Sequence, residues 1–370
     1  MKKDFSLYLD LARFAAAILV VIVHFCQNSV VHHDAAQYVP QLGREAVIVF
    51  FVLSGFAIAY TSRNDSVSLR QYAVARCARI YSVALPILLV TYALVALVAL
   101  VLDKPVAGSY QLRQLFIYVP LHLSFAGELW GLSETPPWLL QYWSLGYEVW
   151  YYVLYGALIY AGGKVRTALV AALLLIMGPK LWLLLPVWMS GVYLYRYQAP
   201  LRISVNWARC GWAITLLALV LYKASGTDVS LRALGSSIWP FPSLRLGSAD
   251  RYLADYVTCA IVYANFLFAR QAQFSALAAI ATPIRAVAAY TFTLYLIHGP
   301  VMGLWRAFYR HDNTSWSDIA LLSLCIGAAC YLVGYVTERR KLWWQHRLDR
   351  LFSLVAKGAV SCQPKRSRLE

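Results

Sequence analysis

Apolar residues run along this chain in long blocks, and the polar stretches between them are short and alternate between Lys/Arg-rich and Lys/Arg-poor. A helix rises about 1.5 Å per residue, so roughly 20 apolar residues cross a ~30 Å hydrocarbon core. By that measure the pattern predicts about ten spans, near residues 9–29, 44–62, 80–102, 139–160, 165–178, 181–197, 208–223, 251–269, 286–308 and 318–337. The fifth to seventh are short or interrupted by proline, which bounds the count to about one pair. The expected fold class is all-α, a polytopic membrane helix bundle. The first block lacks a small-residue cleavage pattern and carries Arg13 and His24 inside it. It is therefore expected to be a retained helix and not a removable signal peptide.

Of the 33 Lys and Arg, 22 fall on the side of Lys2 and Lys3, which also holds the stretch from Arg63 to Arg79 and the tail from Arg339, against ten on the other side. That bias predicts that both termini are cytoplasmic. The net charge of +16 is thus mainly a topology signal, and nucleic acid is not an expected partner. Residues 1–337 are expected to form the transmembrane domain and 338–370 a basic amphipathic tail, RRKLWWQHRLDRLFSLVAK, lying on membrane lipid. With 61% hydrophobic and 14% charged residues, the composition excludes an ordinary soluble protein. Seven cysteines are scattered without a CxxC or a Cys/His cluster, so neither a disulfide framework nor a metal site is expected. With no dinucleotide fingerprint, Walker sequence or repeat, any chemistry falls to the bundle itself.

Several polar groups sit inside the apolar blocks. Arg13 and His24 are separated by ten apolar residues. Eleven steps of about 100° return to nearly the same helix face, with a rise of roughly 16 Å. Ionisable groups at such depths usually face a protein interior or an aqueous path. Arg76 and Arg79 stand three apart before the third span, as a fork suited to phosphate or carboxylate. In QYWSLGYEVWYYVLYG, Ser144, Glu148, Tyr151 and Tyr155 line one helical face, and Glu148 is expected at the depth of His24, where it would fix the imidazole tautomer. In AAYTFTLYLIHGPV, Thr291, Tyr295 and His298 share a face, and Gly299 and Pro300 are expected to loosen the helix and free a carbonyl. Ser54 and Gly55 in FFVLSGFAIAY permit close helix approach. Each group also has a structural reading: Arg13 snorkelling to the interface, the arginine pair flanking a helix, the histidines and Ser54 packing.

Taken in order, these pieces resemble the acyltransferase-3 family of integral membrane O-acyltransferases. The resemblance covers nearly the whole chain: Leu9, Asp10, Arg13 and His24; FFVLSGF at 50–56; Arg76 and Arg79; Trp143, Ser144, Leu145 and Glu148; and YLIHGPV ending past His298 and Pro300. One departure is LDLARFAA, where many members carry glycines around the arginine; Asp10 and Arg13 are kept. The resemblance implies transfer of an acyl group, usually acetyl, from cytoplasmic acyl-CoA to a hydroxyl of a polysaccharide or lipid-linked glycan, in the bacterial inner membrane. Acyl-CoA is then a co-substrate, and no resident cofactor is implied. Arg76, Arg79 and Arg13 would hold the phosphates, and the arm would run past Ala17 and Val20. His24 would act as general base with Glu148 orienting it, and Tyr295 or His298 would stabilise the oxyanion; Asp10, Ser54 and Ser144 would support them. A covalent acyl-His24 intermediate competes with direct transfer. Some relatives carry an extra extracytoplasmic hydrolase-like domain, so transfer here is expected either directly to the glycan or through a separate partner of the polysaccharide assembly machinery. Aromatics in the outer segments 103–138 and 224–250 suit sugar platforms or interfacial anchors. A transporter or flippase of a lipid-linked glycan, and a non-catalytic scaffold, are the rival readings.

Overall fold

The structure is a computed structural model that describes residues 2–63, 66–102 and 106–361, with side chains to residue 353; the end of the expected tail, with Cys362, lies outside the described residues. The ordered elements are α1 (Lys3–Gln27), α2 (His33–Ala36), α3 (Gly43–Thr61), α4 (Leu69–Leu102), α5 (Leu115–Leu123), α6 (Trp143–Tyr160), α7 (Gly163–Met177) and α8 (Pro179–Arg196). They continue as α9 (Val205–Ala224), α10 (Thr227–Ile238), α11 (Tyr252–Ala269), α12 (Ala281–Ala288), α13 (Thr291–Phe308), α14 (Trp316–Val336) and α15 (Lys341–Ser361). Short 3-10 turns complete the chain, and there is no strand among the described residues.

All ten predicted blocks are helical, but they are not ten equal spans. Among the described residues six helices are long and apolar enough to cross a membrane, or up to eight if the bent pairs α7–α8 and α12–α13 each count as one. The chain is an integral, multi-pass membrane protein. Residues 165–178 and 181–197 meet at a 118° bend, which Gly178 permits at φ +75°, followed by Pro179 at the first position of α8. α6 is not among the six, its run of tyrosines making it less apolar; of these Tyr147 and Tyr151 are fully buried.

The ninth block breaks elsewhere than expected. α13 runs unbroken through Gly299 and Pro300, and the 49° bend precedes Thr291. Proline at 300 leaves the Leu296 carbonyl without its helical donor, and the Gln141 side chain supplies one at 2.9 Å. Gly299 is required there because a Cβ would lie 2.2 Å from the Trp138 carbonyl oxygen.

α3 and α8 form the tightest pair. A Cβ on Gly55 would meet the Trp188 carbonyl oxygen, and one on Gly191 the Val52 carbonyl oxygen, each at 2.0 Å. The two backbones touch through small residues, as membrane helices do where no side chain intervenes. Against this pair α1, α6 and α13 close a central space, α4 adds a wall, and α15 lies along α4, joined by Arg70 to Asp349 at 2.8 Å. Away from that space, buried Glu45 and Asp228 with Lys223 and Arg251 tie α3 to α9, α10 and α11.

Candidate active site

Two cavities lie in the central space, and Tyr295 lines both. The first, about 190 Å³, opens toward the amino-terminal side; it is walled by Asp10 and Arg13 of α1, Ser54 of α3, Arg79 of α4, Glu148 and Tyr152 of α6, and Glu338. The second, about 410 Å³, lies on the far side and is walled by His24, Arg44, Glu128, Gln141, Trp143 and Ser248 among others. A groove of about 780 Å³ with Tyr110, Trp138 and Arg306 reaches His24 from another direction.

At the far cavity His24, in the last turn of α1, meets His298 of α13, Nδ1 to Nε2 at 2.7 Å. The tautomers follow from the next contact. His298 Nδ1 lies 2.9 Å from the Leu294 carbonyl oxygen, which only accepts, so Nδ1 carries the proton. In the neutral ring Nε2 is then an acceptor, and His24 Nδ1 donates to it. His24 Nε2 is left with its lone pair free, and the ring stands at the cavity wall. His298 is completely buried, so the orienting chain is shielded from water.

The expected His24–Glu148 pair is not formed. Glu148 accepts from Ser54 Oγ at 2.7 Å and from the Tyr152 hydroxyl, while Trp188 Nε1 donates to Ser54 at 3.1 Å. The reason is where α6 starts. Gln141 reaches Leu296 beside His298, so α6 begins at the level of the imidazoles, and Glu148 lies roughly 8 Å deeper at about 1.5 Å per residue. His298 takes the orienting position that the sequence pattern assigned to Glu148.

The arginine fork is likewise divided. Arg79 lines the amino-terminal cavity, whereas Arg76 lies 5.7 Å over the Tyr152 ring and lines a separate apolar groove between α4, α6 and α7. Three residues along a helix are 60° short of a full turn, which suffices to put the two guanidiniums on either side of one tyrosine. Arg13 donates to Asp10 at 3.0 Å and to the Ala288 carbonyl at 3.2 Å, with Nε unpaired. Glu338 accepts from the Thr293 backbone N–H and hydroxyl, both at 2.9 Å, and so caps α13. The cavity that holds Arg13 and Arg79 therefore also holds three carboxylates. Of the expected path, Val20 lines the far cavity, but Ala17 is fully buried and lines neither.

Tyr295 separates the cavities. Its hydroxyl lies 2.7 Å from Ser144 Oγ and donates to the Gln141 carbonyl at 3.2 Å, and its ring packs edge-on to Phe50 at 5.4 Å. Several far-cavity residues carry no sequence signal of their own. Arg44 reads as a charge flanking the second span, and Gln141 as the polar start of the fourth. The one clue was the carbonyl freed by Pro300, which required a donor without naming it.

Residues 6–339 match the family described as "Acyltransferase domain". No curated protein and no solved structure gives a significant match to the chain.

Proposed function

Because the chain belongs to the acyltransferase-3 family and is a membrane acyltransferase, we propose that it moves an acyl group, acetyl in the first instance, from cytoplasmic acyl-CoA to a hydroxyl of a cell-envelope glycan across the membrane. The carrying observation is the His24–His298 contact, which leaves His24 Nε2 as an unprotonated base at the wall of the far cavity. On this reading the amino-terminal cavity takes the donor. Arg79 and Arg13 face its phosphates, and Glu148 holds Ser54 and Tyr152 in the cavity wall. The thioester end passes Tyr295 to reach His24.

The reaction is a single displacement at the acyl carbon. His24 Nε2 takes the proton of the acceptor hydroxyl, whose oxygen attacks the thioester carbonyl. The imidazolium formed donates through Nδ1 to His298, so the positive charge is held by a buried hydrogen bond. Collapse of the tetrahedral oxyanion breaks the C–S bond, and the departing thiolate takes the proton from His24. A transporter reading requires no such base and no free thiol.

The test is free-thiol release by the purified protein from acetyl-CoA with and without glycan acceptors. Arg79→Gln is expected to raise the acyl-CoA KM by on the order of tenfold or more, since a charge-assisted hydrogen bond contributes about 1.5–3 kcal/mol. Arg76→Gln is expected to shift that KM less, because its groove is a different one. Absence of acceptor-dependent thiol release would remove the acyl-transfer reading.

A further inference from the structure

The far cavity also contains a fixed cation, the Arg44 guanidinium. A tetrahedral intermediate requires N–H or O–H donors at the acyl oxygen, and the two residues expected to supply them have none to spare. His298 donates through Nδ1 to Leu294 and accepts at Nε2 from His24. The single hydroxyl proton of Tyr295 is held between Ser144 and the Gln141 carbonyl.

Arg44 lies at the same level. Gly43 packs directly on Val23, a Cβ there being 3.0 Å from the valine side chain, which sets the start of α3, with Arg44, against the turn of α1 that precedes His24. Both line the one cavity. The Arg44 guanidinium is held from two directions. Nε donates to Asp255 at 2.9 Å, Nη2 donates to the other carboxylate oxygen, and the group sits 4.7 Å over the Trp143 ring. Nη1 donates to no protein atom among the described residues, and it is not sealed off, the side chain keeping 12% of its exposure. Asp255, 2% exposed, is spent on this pair.

We infer that Arg44 is a catalytic residue that binds the oxyanion through Nη1, with Asp255 as its positioning residue; this rests on the acyl-transfer reading above. A donor locked by a bidentate ion pair and a stacked ring needs no reorganisation as charge develops on the acyl oxygen. The negative charge forms when the acceptor oxygen adds to the carbonyl, is held by Arg44, and returns to the carbon as the thiolate leaves.

The experiment compares full-length wild type, Arg44→Lys and the double variant Arg44→Gln/Asp255→Asn in acyl transfer from acetyl-CoA to a glycan acceptor. The double variant removes both charges, so no lone carboxylate is left buried. Its kcat is expected to fall about 10²–10³-fold with both KM values unchanged, and Arg44→Lys to recover part of that loss. A kcat within about threefold of wild type in either variant, or a loss confined to KM, overturns the assignment. His24→Ala run beside them separates this from the underlying reading. Arg44 variants that stay active while His24→Ala is inactive sink Arg44 alone, whereas an active His24→Ala sinks the base that both rest on. Should the double variant not fold, Arg44→Lys alone decides by the same split between kcat and KM.

Discussion

His24→Ala is expected to lower kcat for acyl transfer by about 10²–10⁴-fold while acyl-CoA still binds. The range is that of a lost general base. The binding clause follows from geometry: His24 lines the far cavity, and the groups assigned to the donor line the other. His298→Phe should reproduce part of the loss, because without an acceptor for its Nδ1 proton His24 no longer has a fixed tautomer. Glu148→Gln should not, since its carboxylate bonds Ser54 and Tyr152 and not the imidazole. Rapid-quench labelling with radiolabelled acyl-CoA and no acceptor checks the order of steps. Direct transfer predicts no stable label on the protein; label that His24→Ala abolishes would instead mean an acyl-histidine.

The largest loss of stability is expected for Lys180→Met, at about 3–5 kcal/mol. Lys180 is completely buried at the start of α8. Its ammonium sits 2.7 Å from Glu128 and 2.9 Å from Ser133 Oγ, and it donates to the Leu132 carbonyl. Every donor has a partner, so the ion pair is tolerated; removing the lysine leaves a carboxylate that is 4% exposed and whose remaining hydrogen-bond donor among the described residues is Ser248, at 2.6 Å. Lys180→Met with Glu128→Gln should restore most of the loss, because replacing both charges leaves none orphaned. Thermal denaturation of the detergent-purified variants checks this, and a single variant as stable as wild type would contradict it. The pair also bears on function. Glu128, Ser133 and Ser248 line the far cavity, and Gly247 at φ +51° packs against both Ser133 and Lys180. The ion pair thus fastens α8 to the loops that shape the far cavity.

The sequence carried the helices and most of the polar constellation, because intramembrane charge is rare enough to be informative. Arg13, His24, Ser54, Arg79, Ser144, Glu148, Tyr295 and His298 all line or adjoin the two cavities. Partners were less legible, since pairing depends on where a helix begins. Counting inward from the apolar onset near residue 139 puts Glu148 level with His24, but residues 126–142 fold into the bundle, and α6 starts only after Gln141 has reached α13. Arg44 was hidden for the same reason. By count it flanks a span; in space it lines the same cavity as His24, with Gly43 tucked against Val23 of α1. Arg76 and Arg79 show the opposite failure, a correct helical face divided by one ring on the neighbouring helix.

On the proposed mechanism the acyl group enters on one side of the membrane, passes Tyr295 and leaves on the other. Proteoliposomes of known orientation, with acyl-CoA confined to the amino-terminal side and an impermeant glycan acceptor to the far side, test it directly. Acylated glycan should form on the far side and free thiol on the donor side, both lost in His24→Ala. Product that forms only when donor and acceptor share one compartment would contradict transfer across the membrane.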